Sequence, residues 1–140
     1  MPEVTYFAPA KINLFLHITS KRADGYHNLQ TIFQLLDYGD EITFSLRNDG
    51  EIKRIYGNET IATDKDLILR SAHTLKKYSK TKAGIDIGVI KKIPSGGGLG
   101  GGSSNAATVL IALNDLWNLK LPKSELLDIG QTLGADVPVF

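Results

Sequence analysis

The sequence predicts an α+β domain: a mixed, largely antiparallel sheet packed with helices. Three observations carry that prediction. Alternating apolar and polar residues, the signature of strands, gather early in the chain, while stretches with helical apolar spacing are interspersed after them. Between two of the strand patterns, Asn48-Asp49-Gly50 is a hairpin signal.

The first strand covers 11–19, with Ile12, Leu14, Leu16 and Ile18 toward a core and Lys11, Asn13, Phe15 and His17 on the other side. A two-residue strand repeat then sets Lys11 and Asn13 about 7 Å apart and pointing the same way. Asp24-Gly25 marks a turn, and residues 28–36, 41–46 and 51–56 read as further strands. Asp64 or Asp66 caps a helix that runs to Tyr78 with Ile68, Ala72, Leu75 and Tyr78 in a stripe. Ile85, Ile87 and Val89 form another alternating strand, leading to Lys91, Lys92 and a glycine-rich run. Beyond the run, Ala106, Val109, Leu110, Leu113, Leu116 and Trp117 share one face of a helix whose only charge through Leu119 is Asp115. Such a helix must be mostly buried. Ser124 is expected to cap a last helix through Leu133, with Gly134 stopping it at C′. The final residues read as another element beginning, Asp136 at its N-cap and Pro138 in its first turn.

At 140 residues the chain is one domain by length and can bury a substantial core. Its 16 basic and 15 acidic residues leave a net charge of +1, so no broad field favours nucleic acid or an anionic membrane, and any phosphate specificity must be local. The absence of cysteine excludes disulfides, thiolate zinc sites and cysteine nucleophiles, and it fits a reducing compartment. The start of the chain shows no signal pattern, and the longest strongly apolar run, at 109–113, is far too short to span a bilayer. A cytoplasmic protein with a small-molecule partner is the expectation.

Residues 94–107 carry the chemistry. They read Pro-Ser-Gly-Gly-Gly-Leu-Gly-Gly-Gly-Ser-Ser-Asn-Ala-Ala, six glycines in seven positions. Without Cβ atoms, such a backbone can turn several amide N–H groups toward one anion, and the helix that follows adds unpaired donors and the positive end of its dipole. A phosphate is the natural guest. The run is not a Walker A loop, because Gly102 stands where the lysine would be. Gly96, Gly98 and Gly101 satisfy G-x-G-x-x-G, yet the acidic residue at dinucleotide-binding spacing, Asp115, lies inside the apolar helical pattern, which disfavours a nicotinamide or flavin enzyme. A flexible Gly-Ser linker is a further reading, although linkers are not normally set between a strand and a well-patterned helix.

Four segments in order, Ala8-Pro9-Ala10-Lys11-Ile12-Asn13-Leu14, Arg22-Ala23-Asp24-Gly25-Tyr26-His27, the 94–107 run and Gly134-Ala135-Asp136-Val137-Pro138, resemble the galactokinase, homoserine kinase, mevalonate kinase and phosphomevalonate kinase superfamily. The glycine run alone points to the superfamily. The four together resemble its branch acting on a cytidine-diphosphate-linked methylerythritol. The resemblance implies transfer of the ATP γ-phosphoryl group, with Mg²⁺, to the 2-hydroxyl of 4-diphosphocytidyl-2-C-methyl-D-erythritol in non-mevalonate isoprenoid biosynthesis. It also implies a left-handed βαβ crossover, a rare topology. It extends over essentially the whole chain but only about half of a typical member, so the chain is expected to be a nucleotide-binding N-terminal domain lacking a second domain and inactive by itself. A non-catalytic nucleotide-binding module is the alternative.

By the same resemblance Pro94, Gly96, Gly97, Gly98, Leu99, Gly100, Gly101, Gly102, Ser103 and Ser104 hold the triphosphate, and Ser103 or Ser104 reaches Mg²⁺. Plain helix capping is the other role open to the two serines. Leu67, Ile68 and Lys91 correspond to apolar and polar walls of an adenine pocket, positions that core packing and a surface lysine also explain. Asp136 corresponds to the catalytic base, taking the hydroxyl proton as the new bond to phosphorus forms, where a bare helix cap is the alternative. Lys11 would sit beside it and offset charge on the attacking oxygen, against the ordinary fate of an exposed strand lysine. Asn13, Tyr26 and His27 would bind the substrate, the ring and imidazole stacking on cytosine and bonding to its edge, where hairpin packing is the plain reading.

Overall fold

The computed structural model describes residues 3–21, 27–56, 66–93, 100–134 and 137–140, with side chains described for all of these except 13–21 and 27–33. Four strands, β1 (Val4–Lys21), β2 (His27–Arg47), β3 (Ile52–Tyr56) and β4 (Gly84–Ile90), form one sheet in the order β1-β2-β4-β3. β1 with β2 and β2 with β4 are antiparallel, and β3 with β4 is parallel. Helices α1 (Leu67–Ser79), α2 (Gly101–Leu116) and α3 (Lys123–Leu133) and a 3₁₀ turn, Val137–Val139, complete the described elements. The α+β class and the mixed, largely antiparallel sheet are as the sequence predicts.

The sheet puts Ile42 and Phe44 of β2 and Ile85, Ile87 and Val89 of β4 into one core with Leu75 of α1 and Val109 and Leu113 of α2. Period-two alternation supplies the strand residues and helical spacing the rest. Helix α2 is buried along most of its length, as its near-absence of charge requires. It ends where the backbone N–H of Trp117 donates to Leu113 O, and the indole Nε1 donates to Gly84 O at 3.1 Å, fixing the helix end to the start of β4.

Four sequence expectations need correction. Strands 28–36 and 41–46 are one strand, β2; the turn-like residues between them mark a slip in pairing, where the ladder passes from Pro9–Gly39 to Lys11–Leu35. The Asn48-Asp49-Gly50 signal makes a turn, with Glu51 N donating to Asp49 Oδ1 and Gly50 at φ +76°, but not a hairpin. Strand β4 enters between β2 and β3 and takes the ladder of both, so helix α1 becomes the crossover of a βαβ unit. Helix α3 begins after Pro122, not Ser124, because proline's fixed φ and missing N–H suit a helix start, and no side chain caps it. Gly134 does end α3, its N–H donating to Gly130 O, but at φ 171° its backbone is extended, not left-handed. The Asp24-Gly25 turn and Asp136 lie outside the described residues.

Candidate functional site

The first turns of α1 and α2 set the geometry. Helix α1 is closed by Asp66, whose Oδ1 accepts from Ile68 N at 3.0 Å and whose other oxygen pairs with Arg54 of β3. Helix α2 starts from Gly100 in the left-handed region, φ +72°, with no side-chain cap. Its first backbone bond is Ser104 N to Gly100 O at 2.8 Å, which leaves the preceding N–H groups to the end of the glycine run. Ser103 and Ser104 therefore lie inside the helix and cap nothing. Ser104 is fully buried, and its hydroxyl has no partner among the described residues.

Four parts of the chain converge on this helix start, and at Gly100, whose φ is +72°, they leave room for glycine alone. A Cβ on Gly100 would lie 2.9 Å from Phe140 Cζ and 3.0 Å from Lys11 Cε; one on Gly101 would lie 3.0 Å from Ile93 Cγ2 and 3.4 Å from Lys91 Nζ. A Cβ on Gly102 would meet Leu67 Cδ2 at 3.8 Å. The α2 N-terminus is thus ringed by Lys11 from β1, Ile93 and Lys91 from the end of β4, Leu67 from α1 and Phe140.

Lys11 is 4% exposed, against the expectation of a lysine on a solvent-side strand face. The pairing slip beside it explains the burial. Where a ladder loses register the strand rotates and re-aims its side chains, here carrying both Ala10 and Lys11 inward. Gly39 permits the close approach, since a Cβ there would stand 2.2 Å from Ala8 O.

Beneath the helix start lies a buried polar cluster. Asp40, fully buried on β2, accepts through Oδ1 from the backbone N–H of Lys92 (2.5 Å) and Ile93 (2.9 Å). Its Oδ2 accepts from Lys91 Nζ (2.7 Å) and Asn105 Nδ2 (2.9 Å), and Lys91 Nζ also donates to Asn105 Oδ1 at 3.0 Å. Burial alone would raise the Asp40 pKa; the hydrogen bonds from Lys91, the two backbone groups and Asn105 outweigh it and hold the carboxyl below its usual value. Lys91 has three ammonium donors and commits two of them here. Among the described residues no group of three or more His, Asp or Glu side chains forms a metal cluster.

Of the residues singled out from sequence, Lys11, Leu67, Lys91, Gly100, Gly101, Gly102, Ser103 and Ser104 come together around the α2 N-terminus. Ile68 is not among them: it is 4% exposed and packed in the core. Pro94, Gly96, Gly97, Gly98, Leu99, Tyr26 and Asp136 lie outside the described residues, as do the side chains of Asn13 and His27. Sequence reasoning missed Asp40 and gave Asn105 no role. The available signal was an acidic residue embedded in a strand between Gly39 and a core-facing Ile42.

The pattern described as GHMP kinases N terminal domain matches residues 66–140, from the α1 cap through the 3₁₀ turn. The chain belongs to this family. Over 136 residues, this GHMP kinase domain is 60% identical to the 4-diphosphocytidyl-2-C-methyl-D-erythritol kinase of Ruthia magnifica subsp. Calyptogena magnifica, covering 97% of the chain and 48% of that protein. It is 54% identical to the enzyme of the same name from Cupriavidus metallidurans, over 95% of the chain and 46% of the relative. A crystal structure of 4-(cytidine 5'-diphospho)-2C-methyl-D-erythritol kinase matches with a TM-score of 0.78 at 34% identity, covering 98% of the chain and 48% of that structure. Lactococcus lactis galactokinase, at 20% identity and a TM-score of 0.72, shares the fold. The chain thus spans about half the length of the curated relatives it matches.

Proposed function

We propose that the protein carrying this chain transfers the γ-phosphoryl group of ATP to the 2-hydroxyl of 4-diphosphocytidyl-2-C-methyl-D-erythritol, a step of the non-mevalonate route to isoprenoids. Residues 1–140 act as its nucleotide-binding domain. The observation that carries the reading is the α2 N-terminus without a side-chain cap, with Lys11 buried against its N-cap Gly100 and the Ser104 hydroxyl buried with no partner among the described residues. Backbone donors that the helix itself cannot pair and a helix dipole suit a polyphosphate, and a buried hydroxyl with no described partner suits a ligand oxygen. The high identity to kinases of that name supports the acceptor.

In this reading the glycine run and α2 hold the β- and γ-phosphates, while Leu67 and Lys91 face the adenine. Ile68 supports that wall from the core. Ser103 or Ser104 would help hold Mg²⁺, which when bound neutralises phosphate charge. Tyr26, His27 and Asn13 bind the cytidyl acceptor. As the acceptor oxygen bonds to Pγ, its proton passes to Asp136 and the Pγ–O bond to ADP breaks. Lys11 offsets negative charge on the attacking oxygen. Because phosphoryl transfer proceeds through a loose transition state, placing these groups supplies most of the catalysis.

In the whole protein, Asp136→Asn should lower kcat by about a hundredfold or more while the Kd for a non-hydrolysable ATP analogue stays within about twofold. Undiminished kcat in that variant removes Asp136 from the chemistry.

A further inference from the structure

We propose that Asp40 is a positioning residue for the glycine run, tying the segment that enters it to the helix that leaves it. The inference rests on the run being the polyphosphate cradle. Asp40 touches no proposed ligand group directly; it acts through the residues it holds. Oδ1 binds the N–H groups of Lys92 and Ile93, the residues just before Pro94. Oδ2 binds Asn105, in the second turn of α2, and Lys91 joins Asp40 to Asn105 in a closed ring of three side chains. One fully buried carboxylate thereby fixes both sides of residues 94–104.

Physical chemistry gives that arrangement a purpose. Six glycines in seven positions give a stretch of chain unusually much backbone freedom to lose, and fixing such a stretch around an anion costs free energy. Anchoring both ends beforehand lowers that cost. Stability alone gives a weak reason to bury this carboxylate fully beside a half-buried lysine, since well-packed apolar residues of similar volume often serve as well. The cluster also sits one residue from Gly39, whose bare backbone lets β1 approach within a Cβ clash of Ala8, so the same part of β2 sets the place of Lys11. Cradle and catalytic lysine are therefore registered against one strand.

The test uses the whole protein and two variants, Asp40→Asn and Asn105→Ala. Asn at 40 keeps the shape and an oxygen for Lys92 and Ile93 but presents no carboxylate to both Lys91 and Asn105. The readouts are the Kd of a non-hydrolysable ATP analogue, the Kd of the cytidyl acceptor, the melting temperature and amide hydrogen exchange. Asp40→Asn should weaken the analogue about tenfold or more and the acceptor less than about twofold. Exchange should quicken across residues 92–102 while α1 and α3 keep their protection. Asn105→Ala removes one arm and should weaken the analogue about threefold; it carries the test should Asp40→Asn not fold. Unchanged analogue affinity overturns the proposal, as does an equal loss for both ligands with exchange raised throughout the fold. Failure of the unsubstituted protein to bind the analogue overturns the cradle itself, a result distinct from a variant that binds as tightly as its parent.

Discussion

Helices α1 and α2 lie in the same core, yet their N-termini are finished in opposite ways. At α1, Asp66 receives the Ile68 N–H and pairs with Arg54, so donors and dipole are answered from within the chain. At α2 the cap is a left-handed glycine with no side-chain bond, and the nearby Ser104 hydroxyl is buried with no partner among the described residues. The difference teaches where to look for a ligand. The α3 start also lacks a side-chain cap, so a missing cap alone marks no site; at α2 it coincides with close-packed glycines and a buried hydroxyl, which is what the proposed phosphate site needs.

The substitution that breaks this contrast most is Gly100→Val. At φ +72°, with Phe140 and Lys11 within about 3 Å of any Cβ, valine forces the helix start to move. Affinity for a non-hydrolysable ATP analogue should fall by about a hundredfold or more, read by calorimetry, with far-UV circular dichroism reporting whether the fold persists. The counterpart at α1, Asp66→Ala, should cost about 2–3 kcal/mol of stability in urea denaturation through loss of the cap and the Arg54 partner, while analogue affinity stays within about twofold.

Ser104→Ala sharpens the comparison. Removing a buried hydroxyl that has no partner among the described residues should change stability by no more than about 0.5 kcal/mol, yet analogue affinity should drop about fivefold if that hydroxyl serves the phosphates or their metal. Smallest is a pH effect. Because Asp40 titrates below its usual range in the folded state, it contributes stability that is present above about pH 4, the unfolded value, and lost as pH falls through the lower folded value. Urea midpoints measured from about pH 5 to pH 2 should fall less steeply in Asp40→Asn than in the parent.

Much of this was legible in the sequence, for identifiable reasons. Helix α2 was readable because its sole charge, Asp115, left burial as the only option, and α1 because Asp66 precedes a regular apolar stripe. The glycine run could be singled out as a candidate cradle because glycine-rich backbone before a helix suits an anion. What escaped depends on partners distant in the chain. The hairpin signal at Asn48-Asp49-Gly50 was sound local chemistry, but strand β4, more than thirty positions on, displaced the pairing it implied. The burial of Lys11 follows from a register slip against β2 that no periodicity in β1 reveals. Asp40 and Asn105 are 65 positions apart, and neither residue alone announces the ring they close with Lys91.

The most direct measurement compares backbone amide shifts of the protein on adding adenosine and on adding a non-hydrolysable ATP analogue. The difference between the two reports on the phosphates alone. It should concentrate at Gly100 to Ser104 and leave Ile68 to Arg70 at the start of α1 unmoved. A difference centred on the α1 start, or none at the α2 start, would contradict the claim that the uncapped helix end is the phosphate site.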